Sequence, residues 1–283
     1  MHEALYYEKL DNKKIHCRLC PYECRIAPGG RGACGVRINK DGILYTSVYG
    51  RTTGLSLDPI EKKPLYHYHP GEKILSLGTR GCNLHCEFCQ NWHISQEVDA
   101  PTEDITSEEV VARAKGLHSF GIAYTYNEPF IWYEFVLDTA KLARAANFKN
   151  VLVTNGFVNI DPLENMLPYI DAMNIDLKAF DEDFYVKVCK GRLKPVLDVI
   201  KISFRRCHIE LTNLIIPTLN DSDEMIRKMV DWIYKNLGPD IPLHLSRYFP
   251  CYRMTLPPTP LDTLKKAEKI AKEKLKYVYV GNI

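Results

Sequence analysis

The 283-residue chain has no apolar run approaching the roughly 20 residues that cross a bilayer. Its first residues, Met1-His2-Glu3-Ala4-Leu5-Tyr6-Tyr7-Glu8, lack the basic-then-apolar order of an export signal. A membrane span is thereby excluded, and a cytoplasmic protein is expected. Strong charge of one sign is missing too. Thirty-seven Lys and Arg meet 35 Asp and Glu, for a formal net charge of +2. That is too little for the basic field of extended nucleic-acid binding, so a nucleic-acid partner is not expected. No low-complexity tract or internal repeat interrupts the chain. With 46% hydrophobic and 25% charged residues, the composition is that of a globular protein. The length suits one large α/β domain with a small appendage.

Cysteine, by contrast, is plentiful, with ten in all. In a reducing compartment such a number argues for metal rather than disulfides. Three lie in Cys82-Asn83-Leu84-His85-Cys86-Glu87-Phe88-Cys89-Gln90-Asn91. A cubane iron–sulfur cluster has four irons and normally takes four thiolates. Three thiolates in one tight loop leave one iron without a protein ligand, and an open metal position binds substrate or cofactor directly. Part of a zinc site, or plain buried thiols, are the alternatives for these three residues alone. Four more form Cys17-x2-Cys20-x3-Cys24-x9-Cys34, punctuated by Pro21, Pro28, Gly29, Gly30 and Gly32. This spacing suggests a looped metal knuckle that organises a segment too poor in apolar residues to core itself. Zinc, a second iron–sulfur cluster and unligated thiols are all compatible with it. Cys189, Cys207 and Cys251 are isolated in the sequence; Cys189 and Cys207 are read as structural, and Cys251, just past a strand, as a residue with the cavity as its alternative place.

Apolar segments alternate with helical patterns from residue 74 onward. Strands are expected at 74–79, 121–126, 151–153, 172–175, 209–217, 243–246 and 277–280. Between them run helices, one opened by the capping pattern Thr106-Ser107-Glu108-Glu109. Another is expected to start near Asp221 or Ser222, and a third at Thr259-Pro260. Such alternation implies parallel strands joined by crossovers. The expected fold is α/β, a partial (β/α)6 TIM-type barrel over residues 71–283, preceded by a small cysteine-rich module and linker over residues 1–70. A doubly wound sheet would show the same alternation. Asn127, Glu128, Asn155, Asp176, Lys178, Ser246 and Arg247 fall at carboxyl ends of expected strands, the edge where α/β barrels and open α/β sheets place their sites. His67, His69, His85 and His93 form no metal motif. Tyr66, Tyr68, Trp92, Tyr124 and Tyr126 are read as walls of a cavity or core, and Lys62 and Lys63 as a solvated pair or, alternatively, as contacts for a cofactor carboxylate or an anionic substrate.

The Cys82/Cys86/Cys89 spacing, with Phe88 just before the third cysteine, resembles the signature of radical S-adenosylmethionine (SAM) enzymes. The resemblance implies a [4Fe–4S] cluster on Cys82, Cys86 and Cys89 with Phe88 packed near it, and SAM bound to the open iron. One electron then cleaves a carbon–sulfur bond, and the resulting 5′-deoxyadenosyl radical abstracts hydrogen from substrate. Glu128-Pro129 is similar to the end of that superfamily's Gly-Gly-Glu-Pro motif, which grips the SAM amino group; Tyr126 and Asn127 replace its glycines. Thr154-Asn155-Gly156 and Asp176-Leu177-Lys178 resemble strand ends of the pyruvate formate-lyase activating enzyme family, which implies that Thr154, Asn155, Asp176 and Lys178 lie near SAM. Val153 stands where that family has an aspartate beside a monovalent cation. Longer stretches resemble the AmmeMemoRadiSam-system radical SAM enzymes. These are Asp58-Pro-Ile-Glu-Lys-Lys-Pro-Leu-Tyr-His, Cys89-Gln-Asn-Trp-His-Ile-Ser, Tyr124-Thr-Tyr-Asn-Glu-Pro, Asn174-Ile-Asp-Leu-Lys and His244-Leu-Ser-Arg-Tyr-Phe-Pro. Members often continue past the final Val-Gly-Asn with a short cysteine-rich tail, whereas this sequence ends at Ile283.

The expected function is reductive cleavage of SAM and hydrogen abstraction from an unidentified substrate, a small molecule or a partner protein. An electron donor such as a flavodoxin or ferredoxin is the implied partner. A glycyl-radical enzyme activase and a non-catalytic iron–sulfur electron carrier are the alternatives.

Overall fold

The computed structural model describes residues 1–283. Eight strands form one sheet in sequence order: β1 (Gly54–Pro59), β2 (Lys73–Gly78), β3 (Gly121–Tyr124), β4 (Lys149–Thr154), β5 (Ala172–Asp176), β6 (His208–Ile215), β7 (Leu243–Arg247) and β8 (Val278–Gly281). Strands β2 to β8 are parallel, and β1 is antiparallel to β2. No ladder joins β8 back to β1, so the sheet is open. Six helices cross between the parallel strands: α1 (Ser107–Gly116), α2 (Tyr133–Ala145), α3 (Ile160–Met166), α4 (Leu193–Phe204), α5 (Asp223–Leu237) and α6 (Leu261–Lys272). This is the partial (β/α)6 barrel that the alternation implies.

Local chemistry sets the boundaries. Thr106 Oγ1 accepts from Glu109 N (3.2 Å) while Glu109 returns a carboxylate to Thr106 N (2.8 Å), closing a capping box on α1. Ser222 caps α5 by accepting from Met225 N, and the helix buries Ile226, Met229, Val230, Ile233 and Leu237. Thr259 does not cap α6. Its buried hydroxyl donates to Ile215 O (2.6 Å) and accepts from Tyr248 N (3.1 Å), tying β6 to the end of β7. A buried carbonyl left without a partner costs more than an exposed helix turn open to water, so the hydroxyl goes inward.

The linker expected up to residue 70 is largely part of the barrel. Strand β1 covers the edge of β2, which would otherwise be unpaired. Residues 60–72 then cross the amino-terminal end of the barrel. Ile60 and Leu65 pack on Ile74, Ala123, Val151 and Ala172. Asn174 Nδ2 donates to Pro64 O (2.8 Å), and Glu210 accepts from Tyr66 N (3.0 Å) and His67 N (2.7 Å). His67 and Tyr66 meet Tyr277 and Tyr279, filling space beside β8.

The first 46 residues form two small three-stranded antiparallel sheets. Their buried side chains, Ala4, Ile15, Leu19, Val36 and Leu44 among them, share one hydrophobic cluster with the barrel. The module docks on α2 through a fully buried Arg37–Glu134 ion pair and through Tyr6 against Tyr133. No helix is long and apolar enough to cross a membrane.

Candidate active site

The loop after β2 is turned by Gly81, at φ +89°. A β-carbon there would stand 2.7 Å from Cys34 O, so the position needs glycine for both conformation and space. Neighbouring segments fix the loop. His85 N donates to Cys189 O (2.9 Å), Glu87 N to Val188 O (3.1 Å), and Arg253 N to Glu87 O (3.0 Å). Cys86 and Phe88 are buried, and Cys82 and Cys89 are half-buried.

Donors surround the three sulfurs. Cys82 Sγ accepts from Leu84 N (3.4 Å) and Asn155 Nδ2 (3.6 Å), and the Ser95 hydroxyl lies 3.1 Å from Cys89 Sγ. Burial, then the Glu128 charge, pushes the Cys82 thiol well up, and burial also raises Cys89. Cys86 is held down by a hydrogen bond from Cys189 and by Lys178, against its burial. Metal ligation is the usual way that buried thiolates are stabilised, and hydrogen bonds to sulfur tune the centre so formed. As placed, neither cysteine set converges on a single-ion position. A cubane assigns each thiolate to a different iron, so the triad need not do so. Soft ligands, donors and a glycine-shaped loop together fit an iron–sulfur cluster.

Beside the loop lies a cavity of about 370 Å³, within the small-molecule range. Cys82, Cys86, Cys89 and Phe88 line one side. Asn127, Glu128, Thr154, Asn155, Asp176, Lys178 and Ser246 reach it from the carboxyl ends of β3, β4, β5 and β7. Glu128 is buried, and its carboxylate accepts from Phe130 N (3.0 Å), Thr154 Oγ1 (2.7 Å) and Asn155 N (2.8 Å). Burial raises its pKa to about 7 in spite of these bonds. Glu128 therefore both caps the turn after β3 and locks β3 to β4. Asn127 bridges strand ends as well, accepting from Thr79 N (3.1 Å) and donating to Gly81 O (2.7 Å). Lys178 Nζ is 2.9 Å from Asp176 and 5.8 Å from the Phe88 ring centre.

Two expectations change. Arg247 turns away from the cavity: its Nε donates to Thr259 O (2.8 Å) and its guanidinium covers Phe249. The buried carbonyl after β7 draws it there. Lys63 is not a solvated residue. It is 3% exposed, 2.8 Å from Asp58 and over the Tyr126 ring, because residues 58–63 turn under the barrel. Lys62 remains exposed, and both lysines line the cavity.

Asn174 and Thr212 also line the cavity. Strand alternation was the available signal, since each shares a face with a recognised position two residues along or directly across the ladder. Ser95, Gln90 and Cys189 carried no such signal. Cys189 and Cys251 are not isolated: the first meets Cys86, and the second lies 3.5 Å from Cys89 O. In the N-terminal module Cys17, Cys20 and Cys34 are buried, and Cys20 lies within electrostatic reach of the other three thiols.

A model of the Radical SAM superfamily matches residues 76–233. An uncharacterised protein of Methanocaldococcus jannaschii is 46% identical over all of this chain and 86% of its own length. The pyruvate formate-lyase-activating enzyme of Clostridium pasteurianum is 27% identical over 56% of this chain and 68% of its own. The (2S)-3-sulfopropanediol dehydratase activating enzyme of Klebsiella oxytoca is 26% identical over 53% of this chain and 47% of its own. Among solved structures, a radical SAM methyltransferase from Sphaerobacter thermophilus superposes with a TM-score of 0.60 at 15% identity, covering 76% of this chain and 67% of that one. That likeness is one of fold.

Proposed function

From the premise that this chain belongs to the radical SAM superfamily, we propose that it is an enzyme of the AmmeMemoRadiSam-system type, working in a reducing, cytoplasmic setting on a substrate still to be identified. Cys82, Cys86 and Cys89 would hold the [4Fe–4S] cluster, and the cavity at the strand ends would hold SAM. When bound, cluster and cofactor supply one-electron cleavage of a carbon–sulfur bond followed by hydrogen-atom abstraction. The side chains bind, orient and exclude water. Asn155 donates to Cys82 and to Asn83 Oδ1 (2.9 Å), fixing the loop against β4. Glu128 presents a carboxyl group at the cavity wall, a partner for an ammonium. Thr154 orients that carboxyl group, and Asp176, Lys178 and Ser246 offer charge and hydrogen bonds of both signs. Phe88 covers the loop on the Lys178 side. The four N-terminal thiols are a ligand set for zinc or a further cluster.

The observation that carries this reading is the convergence of three donor-flanked thiols with polar strand-end residues on one cavity. The test is anaerobic reconstitution and reduction, followed by assay for 5′-deoxyadenosine and by EPR with and without SAM. Product and a SAM-dependent spectral change are expected, and Cys86→Ala should abolish both. A fully loaded, reducible cluster that gives neither would refute the reading and favour an electron carrier.

A second reading, activation of a glycyl-radical partner protein, draws on relatives that are themselves named activating enzymes. It predicts a glycine-centred EPR signal on that partner after mixing. Either reading requires a reductant such as a flavodoxin or ferredoxin.

A further inference from the structure

The N-terminal cysteines lie outside the cavity, yet they are built as a site. Cys17 N donates to Cys24 O (2.9 Å), folding the first and third cysteines together. Donors face all four sulfurs. Ala33 N points at Cys24 Sγ (3.3 Å) and Arg37 Nη1 at Cys17 Sγ (3.9 Å), while the backbone N–H groups of Tyr22 and Val36 face Cys20 and Cys34. A neutral thiol is a weak acceptor, so directed donors suit thiolates. Arg37 is 1% exposed, and its Nε has no partner. Its Nη2 pairs with Glu134, its Nη1 donates to Leu5 O (2.7 Å) and reaches Cys17, and its charge also acts on Cys34. Burial raises the Cys20, Cys24 and Cys34 thiols, and one cation already shared with a carboxylate cannot hold four thiolates, so the set ionises together only around a further positive centre.

The site also supports the proposed cluster loop. Ala33 O accepts from His85 Nε2 (3.0 Å), and Cys34 O sits against Gly81. Tyr22 packs edge-on to Phe157, whose carbonyl accepts from Asn83 (2.6 Å). Tyr22, Ala33 and Cys34 of the module therefore touch the 81–89 loop or its neighbour Phe157.

We propose that Cys17, Cys20, Cys24 and Cys34 hold a second thiolate-ligated metal centre, with Arg37 offsetting its charge, and that this centre is the strut on which the Gly81–Cys89 loop rests. The strut role rests on the proposed cluster site; the metal centre itself does not.

The test begins with the full chain carrying Cys82→Ala, Cys86→Ala and Cys89→Ala, purified anaerobically. Metal and sulfide analysis should still find about one zinc, or about four irons with sulfide, per chain. Because the four sulfurs do not converge on a single-ion position, the cluster content is the expected one; one zinc would mean that the module closes around the ion, and either content supports the site. Adding Cys20→Ser and Cys34→Ser should remove that metal, while Cys207→Ser should leave it unchanged. Circular dichroism checks that each variant is folded. In the otherwise native chain, Cys20→Ser with Cys34→Ser should lower iron at the 82–89 loop at least twofold and broaden its EPR signal.

A metal-free triple variant, or metal retained after Cys20→Ser and Cys34→Ser, would overturn the site. Full loading of the loop without the N-terminal metal would overturn the strut. Metal in the triple variant, together with a native chain blind to SAM, would uphold the site and sink only the SAM assignment.

Discussion

Replacing Glu210 by Gln should loosen the floor of the barrel. Glu210 is fully buried on β6 and accepts four hydrogen bonds: from Tyr66 N (3.0 Å), His67 N (2.7 Å), His208 Nε2 (3.0 Å) and His244 Nε2 (2.7 Å). Burial alone would raise its pKa, but the four donors prevail and bring it from 4.5 to about 2. At about 1.4 kcal/mol per pH unit, the carboxylate contributes roughly 3 kcal/mol at neutral pH. A depressed folded-state pKa means that this stability is fully present above about 4.5 and is lost as pH falls through about 2. Glutamine keeps the shape but turns an amide N–H toward donors. Denaturant unfolding under argon should place the variant about 3 kcal/mol below the parent at pH 7, with the gap shrinking to about 1.4 kcal/mol at pH 3. Cluster loss in acid affects both proteins, so the difference is the readout. A gap below about 1 kcal/mol at pH 7, or one that does not shrink in acid, would refute the reasoning.

Gly81→Ala should cost about 1–3 kcal/mol, because φ is +89° and the new β-carbon meets Cys34 O at 2.7 Å; thermal unfolding and iron per chain should fall together. Lys63→Met should cost about 3 kcal/mol by denaturant unfolding, since it strands the buried Asp58 carboxylate, and Asp58→Asn in the same chain should recover part of it. Thr106→Ala removes one side of the α1 capping box and should cost about 1 kcal/mol, with no change in cluster content.

The parallel strands and the polar residues at their carboxyl ends were legible because both follow local periodicity. Thr106 with Glu109, and Cys82 with Cys86 and Cys89, were legible because their partners lie within a few residues. What escaped depends on distant parts of the chain. Lys63 reads as a surface lysine until residues 58–63 pass beneath the barrel and Asp58 and Tyr126 close on it. Arg247 sits at the expected strand end, yet its direction is set by a carbonyl in the next loop. Strand β1 reads as linker because its role is to cover an edge, which no period in its own sequence announces. Cys189 reaches Cys86 only through a turn of irregular helix at Tyr185–Cys189.

The order of the sheet has a consequence for synthesis. Strands β1 to β8 pair strictly in the order in which they leave the ribosome, so each can add to a neighbour already made. The floor is different. The bonds from Tyr66 and His67 to Glu210 span 144 and 143 residues. A growing chain therefore carries Cys82, Cys86 and Cys89 long before Glu210 fastens Tyr66 and His67 beneath them. The last strands both complete the sheet and bolt its base, and a chain stopped after β5 would hold its floor only through Ile60, Leu65 and the Asn174–Pro64 bond.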